Sequence, residues 1–134
     1  MKFLQQLSLV MVVLGASLYG LLVYSNTADI SYEYISPEEL GLVQAQGYHL
    51  LDFRTPTEQE QGTISSMAFA LSTTLDEPSL EAELGSFNPK NRYLIYDRNG
   101  KNIAQIVPLL KELGFREVKI LAGGYQAWLA YVGK

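Results

Sequence analysis

Arg92-Tyr93-Leu94-Ile95-Tyr96 is followed by Asp97-Arg98-Asn99-Gly100-Lys101-Asn102, and then by Ile103 through Leu113 with Gly114-Phe115. The first part is a short apolar, aromatic run with the composition of a buried strand. The second is polar and holds Asn-Gly, a turn signal. The third spaces Ile103, Ile106, Val107, Leu110 and Leu113 as one face of a helix, and Gly114 follows as a stop. Strand, tight loop and helix together build an anion site, because loop amides and the helix N-terminus converge on one spot. Asp97 falls where the strand ends and the loop begins, the place where ligands bind in open parallel sheets.

The flanking segments repeat the alternation. Tyr32-Glu33-Tyr34-Ile35 reads as a first strand. Ser36-Pro37-Glu38-Glu39-Leu40 reads as a helix start, with Ser36 as cap, Pro37 in the first turn and Glu39 three residues after the cap. His49-Leu50-Leu51-Asp52-Phe53-Arg54 reads as a buried strand with Asp52 and Arg54 at its carboxyl end, and Thr55 to Gly62 as turn and short helix. Ala68 to Leu71 is a third strand, and a short helix is expected from Ser79 with Leu80 and Leu84 on its apolar face. Val118 to Leu121 is the last strand. Gly123-Gly124 then permits a tight turn into a helix carrying Trp128 as a core anchor. Strands alternating with helices predict an α/β domain with a mostly parallel, five-stranded sheet flanked by helices.

Three of these segments carry a resemblance. Leu50–Arg54, Asp97–Phe115 and Leu121–Trp128 resemble, in residue type and spacing, the corresponding segments of rhodanese-like domains, the single-domain sulfurtransferases. The resemblance spans Ile35 to Trp128 and implies the rhodanese fold. It also implies a loop that presents a cysteine nucleophile, which takes sulfur as a persulfide stabilised by loop amides. This sequence departs from the pattern at the decisive point: Asp97 occupies the nucleophile position, and the chain contains no cysteine. Asn102 stands where many active members carry a loop arginine. Thr63 and Ser65-Ser66-Met67 depart from the family's Gly-His-Ile-Pro-Gly-Ala run.

Three readings of Asp97 follow. Its carboxylate can accept the amides of Asn99 to Asn102 and fill the loop itself. It can act as nucleophile or metal ligand with Asp52 nearby, as in phosphoryl-transfer sites. Or Arg98 and Lys101 can bind an anion while Asp97 points away. Expected site residues are therefore the loop Asp97, Arg98, Asn99, Gly100, Lys101 and Asn102. Asp52 and Arg54 are expected as structural neighbours, with Arg54 paired locally. No catalytic residue, metal or cofactor is expected. A persulfide needs a thiolate, so the domain is expected to lack sulfurtransferase activity and to act in binding or scaffolding. The alternatives are a sulfur-handling module whose thiol comes from a partner, and a metal-dependent enzyme using Asp97. His49, the single histidine, is expected to pack rather than to act as a base.

The chain has 134 residues and a net charge of −4. Eleven acidic residues and one basic residue lie between Asp29 and Glu83, and eight basic and three acidic ones between Lys90 and Lys134. A positive loop in an acidic protein favours a small anion, or a protein partner, over nucleic acid. Residues 1–25 form the expected signal-anchor helix, 26–31 a linker and 32–134 the domain. Leu7 to Tyr24 is interrupted only by Ser8, Gly15, Ser17 and Gly20, and a helix of that length covers roughly 27 Å of a ~30 Å hydrocarbon core. The rival is a signal peptide ending at Ala28, with Asn26 a poor fit to the cleavage pattern. Lys2 before the span and acidic residues after it place the domain on the extracytoplasmic (periplasmic) side of the cell membrane as a single-pass protein.

Pro108 lies in the interior of the helix if Asn102, with Gln105 three residues on, is the cap. Proline there removes an amide and crowds the Ala104 carbonyl. The expectation is a loosened first turn with that carbonyl unpartnered, or a helix that starts near Pro108.

Overall fold

The computed structural model describes residues 30–72 and 78–133. The expected anchor, residues 1–25, and most of the linker lie outside them. Among the described residues no helix is long and apolar enough to cross a membrane.

Five strands form one sheet: β1 (Ser31–Ile35), β2 (His49–Asp52), β3 (Phe69–Ala70), β4 (Arg92–Tyr96) and β5 (Glu117–Leu121), in the order β1-β5-β4-β2-β3. Every pairing is parallel, with Leu51 opposite Ile95 and Ile95 opposite Ile120 at the centre. Parallel neighbours need crossovers. These are supplied by α1 (Leu40–Ala45), α2 (Pro56–Glu60), α3 (Leu80–Leu84) and α4 (Val107–Glu112), while α5 (Gly124–Val132) closes the chain.

Both faces of the sheet are covered, which is why its central strands read as continuous apolar runs. Period-2 alternation sorts β4 between two cores. Tyr93 and Ile95 face α3 and α4, packing with Leu80, Leu84, Ile106 and Leu110. Leu94 and Tyr96 face α1 and α5, packing with Leu40, Val43 and the half-buried Trp128. The Trp128 ring stacks on Tyr125 at 5.6 Å.

The chain around Pro108 resolves between its two expectations. Ile103–Ile106 is a 3-10 helix, and α4 proper begins at Val107 with Pro108 in its first turn. A proline is tolerated there because its missing amide has no intrahelical acceptor. The Ala104 carbonyl is not orphaned, since it accepts the Val107 amide. The side chain of Asn102 makes no capping hydrogen bond, so the Asn102–Gln105 capping box expected from the sequence does not form. Thr55 and Glu58 do form one on α2, with Thr55 N–H donating to the Glu58 carboxylate at 3.1 Å and Glu58 N–H to the Thr55 hydroxyl at 3.3 Å.

Candidate functional site

Because all strands are parallel, their carboxyl ends lie along one edge. Asp52 ends β2 and Asp97 follows β4, the adjacent strand. Both carboxylates are buried, and they are satisfied in different ways.

The Asp97 carboxylate turns into its own loop. One oxygen accepts the Gly100 amide at 2.6 Å and the other the Asn102 amide at 3.3 Å. The Asn99 side chain takes the Lys101 amide at 3.0 Å. Of the four amides from Asn99 to Asn102 that the self-filled reading assigns to Asp97, those of Gly100 and Asn102 reach it, and that of Lys101 goes to the Asn99 side chain instead. The loop is clasped from outside by α5, whose Tyr125 and Gln126 amides donate to the Asp97 and Arg98 carbonyls, each at 2.9 Å. The approach is close enough to demand glycine. Gly100 and Gly124 have φ of 79° and 61°. A Cβ on Gly100 would lie 2.8 Å from the Gly123 nitrogen, and one on Gly124 would lie 2.6 Å from the Asp97 carbonyl oxygen.

The Asp52 carboxylate is held by side chains. Arg54 Nη2 donates to Oδ2 at 2.8 Å, and Arg54 Nε lies 3.1 and 3.2 Å from the two oxygens. The Arg54 amide donates to Oδ1 at 2.9 Å, and the Tyr96 hydroxyl to Oδ2 at 2.9 Å. The guanidinium also reaches the Glu58 and Gly62 carbonyls at 3.1 and 2.6 Å, and lies 3.8 Å from the centre of the Tyr125 ring. Burial pulls the Arg54 guanidinium down, but Asp52, by hydrogen bond and by charge, outweighs it and holds the group above its ordinary value. Burial, followed by the Asp52 charge and the hydrogen bond to it, pushes the Tyr96 phenol well above its ordinary 10.0. With both Asp52 oxygens engaged by a cation and a phenol, Asp52 is not available to complete a metal site with Asp97. Among the described residues no cluster of three or more His, Asp or Glu side chains could hold an ion.

Between clamp and loop opens a cleft of about 300 Å³, lined by Arg54, Glu58, Gln61, Arg98, Tyr125, Gln126 and Leu129. Arg98 lies on its surface, 3.6 Å from the Glu58 carboxylate. The sequence located the loop and the Asp52–Arg54 pair. It did not find Tyr125, which stacks on Arg54 from the far end of the chain, nor Gln59, whose amide group donates to the Asp52, Arg54 and Leu71 carbonyls. Tyr125 directly follows the two glycines of the last turn, a position that could have drawn attention to it. His49 lies away from the site, at the start of β2, its ring 5.8 Å from Tyr93 and 6.2 Å from Phe69.

Charge divides in space differently than it does along the chain. Of the described basic residues from Lys90 onward, Arg98 and Lys101 belong to the loop and Lys119 lies within β5. Lys90, Arg92, Lys111 and Arg116 lie at the opposite edge of the sheet, around the N-terminal ends of β4 and β5. Glu38 and Glu39 follow β1, and Glu58 and Glu60 sit in or end α2, so the loop's own edge is rich in carboxylates. The locally positive surrounding expected for the loop is not what the fold builds.

An all-parallel α/β domain with its loop at the carboxyl edge, covered on both faces, defines the class. The family model of the rhodanese-like domain matches residues 36–131, and the chain belongs to that family. A rhodanese-like domain protein from Staphylococcus aureus is 26% identical with a TM-score of 0.60, over 72% of this chain and 90% of that one. The Alr3790 protein from Anabaena sp. is 25% identical with a TM-score of 0.60, over 72% of this chain and 77% of that one. Reduced Bacillus anthracis CoADR-RHD is 22% identical with a TM-score of 0.62 and shares the fold; the match covers 81% of this chain but 18% of that one. No curated protein matches. Within the family, Asp97 stands where the resemblance assigns the cysteine, in a chain without one.

Proposed function

We propose that this protein is a rhodanese-like binding or scaffolding module without sulfurtransferase activity, held at the cell membrane by residues 1–25. The observation that carries the reading is the Asp97 carboxylate on the Gly100 and Asn102 amides. Two of the loop amides that would face a persulfide are occupied by the chain's own anion. A carboxylate does not accept sulfane sulfur as a thiolate does. The uniform apolar run from Leu7 to Tyr24 supports the anchor, and Lys2 ahead of it supports an extracytoplasmic domain. Partner contact then falls to the cleft beside the loop, whose Arg98, Gln126 and Leu129 offer a charge, an amide and an apolar surface.

The full chain should show no thiosulfate:cyanide sulfurtransfer above background. Turnover that survives Asp97→Ala would overturn the account of the site, and turnover abolished by that change would make Asp97 a catalytic carboxylate. Asp97→Cys should restore weak activity at most, because Asn102 and the Thr63–Met67 segment remain. The anchor is checked separately: the chain should stay in the membrane fraction through a carbonate wash, and a reporter fused after Lys134 should be active outside the cytoplasm. A soluble species beginning near Asp29 would identify a signal peptide instead.

A further inference from the structure

The edge of the sheet opposite the cleft carries two features that the site does not use. One is charge. Lys90, Arg92, Lys111 and Arg116 lie on it against Glu112 and Glu117 among the described residues, and Arg92 and Glu117 pair at 3.5 Å. The turns that carry them are brought together by the fold. Arg92 donates to the Gln46 carbonyl at 3.3 Å, Gly114 adjoins Pro89, and the Ser31 amide donates to the Arg116 carbonyl at 2.9 Å. The other feature is aromatic. Tyr32 of β1 is half exposed (49%) near this edge, and Tyr48, just before β2 on the other face of the sheet, has Arg92 and Lys119 within 5.8 and 5.3 Å of its ring. Basic side chains interleaved with aromatics suit a negatively charged lipid surface, where cations meet headgroups and amphipathic rings sit at the interface.

The chain also enters the domain at this edge. β1 begins at Ser31, and residues 26–30 span at most about 18 Å even when fully extended.

We propose that the N-terminal edge of the sheet is a bilayer-facing surface that seats on anionic lipid headgroups and turns the cleft away from the membrane. The proposal rests on the anchor reading above. The two edges are separated by a strand length, roughly 17 Å for five residues. The cleft's partner is then a protein reaching the domain from the aqueous side, not one embedded beside the anchor.

The chain has no cysteine, so Gln46→Cys and Thr57→Cys each create one labelling site, the first at the basic edge and the second on α2 at the cleft edge. The full-length protein is reconstituted into vesicles of phosphatidylglycerol and phosphatidylcholine in equal parts, and an environment-sensitive fluorophore is quenched by nitroxide-headgroup lipid. Quenching at residue 46 should exceed that at residue 57 by about threefold, and Lys90→Glu with Arg116→Glu should bring the ratio to about one. The ratio should also fall in phosphatidylcholine alone and in high salt. Equal quenching at the two positions in the mixed vesicles, or greater quenching at 57, overturns the proposal. A ratio indifferent to the charge reversal overturns it as well. The ratio is read in neutral buffer before any wash, so later release by carbonate overturns the anchor alone.

Discussion

Two carboxylates at neighbouring strand ends are buried in contrasting ways. Asp52 is satisfied by Arg54 beside it and Tyr96 from β4, and Tyr125 of α5 stacks over the guanidinium from a third place. Asp97 is satisfied by amides three and five residues further along its own loop. The first is a long-range clamp whose parts exist as a site only after folding. The second is a local turn that needs little beyond itself and a neighbouring helix. A buried charge held by another side chain leaves that partner stranded when it is lost, whereas one held by backbone leaves amides that a water can reach.

The comparison is tested most severely by Arg54→Leu. Asp52 would be left as a buried charge with the Tyr96 hydroxyl and the Arg54 amide position as its partners, and the expected loss is about 3–5 kcal/mol in denaturant unfolding. A loss below about 1 kcal/mol would show that the clamp is not a fold-level element. Asp97→Ala should cost less, about 1–2 kcal/mol, because each orphaned amide lies near the surface. A loss equal to that of Arg54→Leu would erase the distinction between the two sites.

Tyr96→Phe sharpens the comparison through pH. The native environment raises the phenol above its ordinary value. Folding therefore favours the protonated form, and the contribution is complete below the unfolded value near 10 and declines as pH rises past it. Stability should fall with pH above that point in the wild type and fall less steeply in Tyr96→Phe, which should cost about 1 kcal/mol at neutral pH. Alkaline melts of the two proteins that run parallel would refute the assignment. The smallest effect is expected at Pro108→Glu. With proline already in the first turn of α4, stability should change by no more than about 0.5 kcal/mol. A gain of more than ~1 kcal/mol would mean that the proline is strained after all.

These sites mark where sequence reading succeeds and where it stops. The strand-loop-helix unit from Arg92 to Phe115 was legible because its signals are local: an apolar run, Asn-Gly, a helical period and a terminal glycine. The placement of Asp97 at the strand's end followed from the same signals. The 3-10 turn at Ile103–Ile106 was half legible, because Pro108 demanded some departure without saying that Val107 would rescue the Ala104 carbonyl. Tyr125 over Arg54 was not legible, since nothing in the spacing of two residues 71 positions apart along the sequence says that they stack. The charge division misled for a topological reason. Each crossover carries the chain back to the far edge before the next strand begins, so residues adjacent in sequence alternate between two ends of the sheet. Arg92 and Arg98 lie six positions apart, yet they bracket β4 at opposite edges.

The clasp between the loop and α5 has a consequence for what position 97 can hold. Two amides of α5 grip the Asp97 and Arg98 carbonyls, and two glycines, Gly100 and Gly124, allow backbone to lie on backbone. None of these contacts uses the side chain at position 97. The cradle is a mould cast by the last helix of the chain, and the residue poured into it can change without the mould losing its outline. Reagent and receptacle are held by separate contacts, so the group at position 97 can be exchanged while the shape around it is kept.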